Sequence, residues 1–296
     1  MAERYQNYVN GAWTDASSGS VSTSTNPADL SDVIGEFQAS TSGDVNAAIS
    51  AAHDVKESWR RTSSLARGGY LLKAASYLEA NTEEFAQALT RECGKAILEA
   101  RGEIGRAVAL LQYYGVEGSN PVGSVVPSVN PNILLYTNRM PLGVVSLITP
   151  WNFPFAIPIW KMAPALVYGN TIVLKPASAT PHVATLIARM WEAVDLPAGV
   201  FNLVTGSGAA VGNELITNDK VAAISFTGST RIGMNIAAES AQRGKRYQLE
   251  MGGKNPVIVL PDADLEQAAE ITVSGAMKYS GQKCTATSRA IVVGNV

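Results

Sequence analysis

The chain has 296 residues, enough for one large or two ordinary domains with a substantial core. Apolar residues make up 46% and charged residues 16%, a balance that excludes disorder, and a net charge of −2 offers no attraction to nucleic acid or an anionic membrane. The polar opening Met1-Ala2-Glu3-Arg4-Tyr5-Gln6 and the lack of any run of about eighteen apolar residues predict neither a leader nor a membrane span. Cys93 and Cys284 have no metal-ligand spacing and no disulfide framework, so a reducing cytoplasm and no metal are expected.

In chain order, Tyr8-Val9-Asn10-Gly11-Ala12-Trp13 predicts a short strand and turn, followed by a polar Ser/Thr-rich stretch to Thr25 without assigned structure. From Thr41 the texture is helical. Ser42-Gly43-Asp44 caps a helix to about Arg61, with Val45, Ile49, Ala52 and Val55 on one face. Further helices are expected over Leu65–Ala80, Glu83–Arg91 and Ala96–Tyr114. Within the last, Glu99-Ala100-Arg101-Gly102-Glu103 reads as a solvated charged face. Gly123 to Arg139, with β-branched residues, Pro127 and Pro131, predicts an extended hairpin or arm that needs a partner edge.

After Pro141 strands and helices alternate. Strands are expected at Gly143–Thr149, Thr171–Lys175, Val200–Val204, Val221–Phe226 and Arg246–Leu249. Helices are expected at Phe155–Tyr168, Pro181–Val194, Ala209–Thr217 and Thr230–Arg243. This spacing predicts an α/β fold: a Rossmann-like, doubly wound parallel sheet of about five strands with right-handed crossovers. Ligands bind such sheets beyond the carboxyl ends of the strands, which directs attention to the turns after Thr149, Lys175, Val204, Phe226 and Leu249.

Those turns carry chemistry. In Thr149-Pro150-Trp151-Asn152-Phe153-Pro154 the prolines stiffen the turn, and the Asn152 amide is either an oxyanion donor or a turn asparagine bonding its own backbone. Lys175 stands at a strand end suited to ribose hydroxyls or phosphate, although a solvated lysine is the default. Gly206-Ser207-Gly208-Ala209-Ala210-Val211-Gly212 misses the dinucleotide fingerprint by one place. Phe226-Thr227-Gly228-Ser229-Thr230-Arg231-Ile232-Gly233 resembles a P-loop, but Met234 and Asn235 stand where Lys and Ser/Thr are required. Nucleotide hydrolysis is therefore disfavoured, and helix amino-terminal N–H groups with the Ser229 hydroxyl remain to face a diphosphate.

Past the sheet, Tyr279-Ser280-Gly281-Gln282-Lys283-Cys284-Thr285 lies between an expected helix (Leu265 to Lys278) and a β-rich run (Arg289 to Val293). Gly281 frees the backbone to present Cys284, and Lys283 beside the sulfur favours the thiolate, the form that attacks carbonyl carbon. With His53 and His182 inside expected helices, Glu250 in Leu249-Glu250-Met251-Gly252-Gly253 is the leading general base. Asp262-Ala263-Asp264 reads as a helix cap.

These motifs together, with Gly169-Asn170-Thr171-Ile172-Val173-Leu174-Lys175-Pro176, resemble the aldehyde dehydrogenase superfamily in six segments, in the right order along the whole chain. The ending Cys284-Thr285-Ala286-Thr287-Ser288-Arg289 is most similar to the branch that oxidises α-ketoglutaric semialdehyde (2,5-dioxopentanoate). The resemblance implies that Cys284 is the nucleophile, Asn152 with the Cys284 N–H an oxyanion donor, and Glu250 the base that activates water against a thioester. It implies an NAD or NADP site at Ile148, Thr149, Pro150 and Trp151, with Lys175 on the adenosine ribose. Gly228, Ser229 and Gly233 would line the diphosphate, and Gly208 would lie near the adenine.

Ser178 stands where many NAD-preferring members carry glutamate, which predicts that NADP is accepted alongside NAD. The implied division is a dinucleotide-binding domain at 1–122 and 142–252, an oligomerisation arm at 123–141, and the truncated start of a second α/β catalytic domain at 253–296. Members of the family continue well beyond the equivalent of Val296, so the expectation is a partial chain, homodimeric or homotetrameric when full length. The alternative is a catalytically silent dinucleotide-binding or assembly fragment.

Overall fold

The computed structural model describes residues 2–120 and 123–294. The expected boundary at Val122 and the chain end at Val296 lie outside them.

Strands β1 (Arg4–Tyr5), β2 (Asn7–Val9) and β3 (Ala12–Thr14) open the chain. The β2–β3 hairpin turns on Asn10 and Gly11, both left-handed at φ 52° and 76°. That Asn-Gly pair is the residue choice such a two-residue turn demands. A Cβ on Gly11 would also meet the Ala198 Cβ at 2.9 Å. Next come β4 (Val21–Asn26) and β5 (Asp29–Gln38), an antiparallel pair that β1 joins in parallel. The end of the Ser/Thr-rich stretch is thus a strand: its one apolar residue, Val21, leaves no hydrophobic alternation to read.

Helices α1 (Ser42–Arg61), α2 (Ser64–Ala80), α3 (Thr82–Cys93) and α4 (Ile97–Glu117) follow. Thr41 caps α1 in a reciprocal box with Asp44. The arm residues form a short exposed ladder, β6 (Val125–Val126) with β7 (Leu135–Tyr136).

The alternating half then runs β8 (Val144–Ile148), α5 (Ala156–Val167), β9 (Thr171–Lys175), α6 (Pro181–Ala193) and β10 (Phe201–Leu203). It continues through a π-helical turn (Gly208–Gly212), α7 (Asn213–Thr217), β11 (Val221–Thr227), α8 (Thr230–Gln242) and β12 (Arg246–Glu250). The helix expected over Ala209–Thr217 is therefore that turn plus one short helix, since glycines at both ends of the turn weaken regular helix. Last are β13 (Asn255–Val259), α9 (Leu265–Met277) and β14 (Thr287–Val292), with β13 and β14 paired in parallel.

The main sheet has the order β12-β11-β8-β9-β10-β2-β3. Its first five strands are parallel, as the alternation predicts, and the amino-terminal hairpin extends the sheet to seven by antiparallel pairing at β2. The strand sequence alternates by face. Val145 and Leu147 pack against α2 to α6, whereas Val144 packs with Val173 under Val45, Ile49 and Ala52 of α1. Helices cover both faces, so β8, β9 and β10 are buried on both sides, whereas the edge strand β12 is largely exposed. Strand order reverses between β8 and β11, because β9 and β10 run to one side of β8 and β11 and β12 to the other. The ligand crevice of a doubly wound sheet lies at that switch point. Among the described residues no helix is long and apolar enough to cross a membrane.

Candidate active site

The switch point brings two turns side by side, Thr149–Pro154 after β8 and Gly228–Ser229 after β11. Thr149 donates its backbone N–H to the Lys175 carbonyl at 3.2 Å. Its hydroxyl is buried without a hydrogen-bond partner, an open polar position beside Ile148 at the sheet's ligand edge. Ser229 caps α8 by accepting the Ile232 N–H, while Gly233 donates its N–H to the Ser229 carbonyl at 3.0 Å. Because Ser229 uses an oxygen lone pair for the cap, its proton stays available to an acceptor. Gly228 donates to the Glu250 carbonyl at 3.0 Å, which ties this loop to the end of β12. A Cβ at Gly233 would meet the Met251 sulfur at 2.5 Å, so the glycine permits close packing behind the loop.

Lys175 is buried, not solvated: its Nζ donates to the Pro176 carbonyl at 2.8 Å, and burial pulls its pKa down to about 8. An ammonium carries three protons, so two remain for a ligand. Ser178 is exposed, but its hydroxyl donates to the Gly206 carbonyl at 3.1 Å and links the turns after β9 and β10. The Ser178 hydroxyl proton is therefore spent within the chain. Gly208 begins the π-helical turn at the far side of β10 from the switch point. The two glycine loops are thus not equivalent, and Gly228–Gly233 stands next to the crevice.

Asn152 makes the local bond of a turn asparagine and also reaches across the chain. Its Oδ1 accepts the Phe153 N–H at 3.1 Å, and its Nδ2 donates to the Gln282 carbonyl at 2.8 Å. That second bond spans 130 residues and fixes the Cys284 turn against the sheet edge. From the other side Asn255 of β13 donates through Nδ2 to the carbonyls of Cys284 and Ala286, at 2.7 and 3.1 Å. Cys284 itself is exposed. The Lys283 Nζ lies over the Tyr279 ring, 5.1 Å from its centroid. Trp151 is 44% exposed beside Asn152, and its carbonyl accepts from the Cys93 thiol at 3.4 Å.

Glu250 ends β12 with an exposed side chain that accepts from Gln248 Nε2 at 2.9 Å. A polar chain missed by the sequence reading leads away from it. Lys161 of α5 donates to Ser225 Oγ at 2.9 Å and Gln248 Oε1 at 3.2 Å. Burial lowers the Lys161 pKa to about 8, while the Glu250 carboxylate opposes that shift. The available signal was one charge inside the otherwise apolar helix Ala156–Val167. Also missed were Lys95, Glu99 and Glu103. Glu103 is buried in an ion pair with Lys95, and Glu99 accepts the Tyr279 N–H at 2.7 Å, so the expected solvated face is a packing face. Of that motif, Arg101 alone keeps a surface partner, Glu83. Asp264 caps α9 as expected.

A cavity of about 700 Å³ opens between Ala39–Ser42 and the Ser207–Ala210 turn. None of its lining residues belongs to the turns of Asn152, Glu250 or Cys284.

The sequence profile of the aldehyde dehydrogenase family matches residues 13–296. An α-ketoglutaric semialdehyde dehydrogenase of Bacillus subtilis is 52% identical over 97% of this chain and 59% of its own length. The crystal structure of an NADP-dependent enzyme of E. coli superposes with TM-score 0.95 at 39% identity, covering 98% of this chain and 60% of that one. An NAD+ complex of an aldehyde dehydrogenase from Bacillus cereus gives TM-score 0.94 at 36% identity, over 98% and 59%. The chain therefore spans about three fifths of the length of the relatives it matches.

Proposed function

The chain belongs to the aldehyde dehydrogenase family, and on that premise we propose that it carries the dinucleotide site and nucleophile turn of an NAD(P)-dependent, non-phosphorylating aldehyde dehydrogenase. Its substrate is a small semialdehyde such as 2,5-dioxopentanoate, the named substrate class of the B. subtilis relative. The observation that carries this reading is the clamp on the Cys284 turn, with Asn152 on the Gln282 carbonyl and Asn255 on the Cys284 carbonyl.

In this reading the Cys284 thiolate attacks the aldehyde carbon, and the carbonyl electron pair moves to oxygen. The second Asn152 amide proton, with the Cys284 N–H, holds that oxyanion. A bound nicotinamide would supply the hydride acceptor that converts the thiohemiacetal to a thioester. Glu250 takes a proton from water, the hydroxide adds to the thioester carbon, and the cysteine leaves as thiolate with a carboxylate released. Gln248 holds the Glu250 carboxylate from the side.

The residues present suit the dinucleotide. The unpartnered Thr149 hydroxyl, beside Ile148, Pro150 and Trp151, supplies a polar contact at the crevice. The α8 amino-terminus with Gly228, Ser229 and Gly233 would take the diphosphate. Lys175 would take the ribose with the protons left over from Pro176, and Gly208 would border the adenine. Ser178 in place of a carboxylate leaves room for a 2′-phosphate, so NADP would serve alongside NAD. Residues 1–122 and 142–252 would form the dinucleotide-binding unit, 123–141 a self-association arm for a dimer or tetramer, and 253–296 the start of the catalytic unit.

The test is a pre-steady-state burst of reduced cofactor on mixing with 2,5-dioxopentanoate. The expected outcome is a burst approaching one equivalent per chain, abolished in Cys284→Ala with cofactor binding retained. The exposure of α9, which buries none of its residues, favours a second reading, a cofactor-binding module without turnover. Cofactor binding with no burst would select it.

A further inference from the structure

The proposed reaction leaves a buried charged cluster without a role. Lys95 and Glu103 are 8% and 2% exposed. An ion pair withdrawn from water gains little net stability over apolar packing, so stability is a poor reason for it. Its hydrogen bonds supply a better one. The Lys95 ammonium pairs with one Glu103 oxygen and donates to the Asn152 backbone carbonyl at 2.7 Å. It also sits 4.4 Å from the Phe153 ring centroid and 5.6 Å from that of Tyr279. The other Glu103 oxygen accepts the N–H groups of Phe155 and Ala156 at 2.9 Å each, which closes the amino-terminus of α5.

One turn earlier on the same face of α4, Glu99 accepts the Tyr279 N–H. Tyr279 and Ser280 both adopt left-handed conformations, φ 58° and 55°, which non-glycine residues hold only when their surroundings impose them. The Tyr279 ring packs on Phe153 at 4.9 Å between centroids. Asn152 Nδ2 on the Gln282 carbonyl completes the circuit. Glu99 and Glu103 on one face of α4, with Lys95 just before the helix, thus hold two turns by their backbones, while Cys284 stays exposed.

We propose that Lys95, Glu99 and Glu103 are positioning residues that set the Asn152 turn and the Cys284 turn at a fixed separation. The proposal rests on the catalytic reading above for its consequence, not for its geometry. Glu99 is the informative member, because it is half-buried and its replacement leaves no unpaired buried charge. Glu99→Ala removes the acceptor for Tyr279, whereas Glu99→Gln keeps a side-chain oxygen there.

The experiment compares the parent chain, Glu99→Ala and Glu99→Gln by burst rate, hydrogen exchange at the Tyr279 amide, and the rate of Cys284 alkylation by iodoacetamide followed by peptide mass. Misplacement of reacting groups by about 1 Å slows reaction on the order of 100-fold, so Glu99→Ala is expected to lower the burst rate about 10- to 100-fold with cofactor affinity unchanged. Tyr279 exchange should accelerate, and Glu99→Gln should restore both to within about threefold. A parent burst that Glu99→Ala leaves unchanged overturns the positioning role and spares the catalytic reading. A parent that binds cofactor without a burst overturns the catalytic reading for this chain. The exchange and alkylation rates then decide alone, and a Glu99→Ala chain that matches the parent in both overturns the positioning role.

Discussion

The sheet with its helices and the segment β13–α9–β14 are built on opposite terms. The first buries residues such as Leu71, Leu111, Leu147 and Trp191 completely, where β8 packs against helices α2 to α6. The second leaves Ile271, Val273 and Met277 of α9 exposed, together with Ile291 and Val292 of β14. Hydrophobic burial holds the sheet, whereas the Cys284 turn is held by a few hydrogen bonds, from Asn152, Asn255 and Glu99. Stability and reactive geometry are therefore separable here: one is lost through the core and the other through single polar contacts.

The sharpest test of that separation is a pair of truncations. Leu71→Ala is expected to cost about 2–5 kcal/mol of unfolding free energy, while Ile271→Ala stays within about 0.5 kcal/mol. Denaturant midpoints measure both, and equal losses would break the contrast. On the other side, Asn152→Ala should lower the hydride burst about 100- to 1,000-fold with cofactor affinity retained. A variant that turns over like the parent would remove Asn152 from the chemistry.

Acid should act through the sheet side. His182 at the start of α6 is half-buried, and desolvation of its ring pulls its pKa from 6.5 to about 4, helped by Arg189 and Arg91. The unfolded chain binds the proton first, so this residue's contribution to stability falls as pH drops from about 6.5 toward 4. Its neighbour Glu92 works the other way, because burial raises its pKa to about 7. The folded carboxyl keeps its proton above the unfolded range, and stability from Glu92 falls as pH rises from about 4.5 to 7. Replacing the histidine by Leu isolates its share. Relative to the parent, the variant should gain up to about 3 kcal/mol between pH 7 and pH 4 in chemical denaturation. A constant difference across that range would refute the neutral imidazole. The smallest expected effect belongs to Ser178→Glu, which should weaken NADP relative to NAD roughly tenfold, from one carboxylate facing a 2′-phosphate near the surface. Titration of both cofactors reads it, and an unchanged ratio would detach Ser178 from cofactor choice.

Much of this was legible along the chain because it is local. Thr171–Lys175 reads as a strand from five consecutive residues, and the Asn10-Gly11 turn from two. The turns after Ile148 and Thr227, with Glu250 and Cys284, are marked by glycine, proline and chemistry-bearing residues at strand ends. The β4–β5 hairpin was not legible, since its partners are chosen by register and not by composition. Nor was the burial of Lys175 or Glu103. A charged residue reads as solvated unless its partner is known, and the partners are Pro176 next door and Lys95 eight residues upstream.

By itself, then, the sequence determined the alternation of strand and helix, the parallel half of the sheet, and which residue types stand at its carboxyl edge. These follow from backbone preference and side-chain period, which act over a few residues. Only the tertiary structure decided the strand order β12-β11-β8-β9-β10, hence which glycine loop faces the crevice. It also decided that the Asn152 amide meets the Gln282 carbonyl and that Glu99 and Lys95 of the α3–α4 region brace both turns. Those contacts join residues 57 to 180 positions apart. No local preference encodes them; they exist because the sheet and its helices pack into one arrangement that brings these turns together.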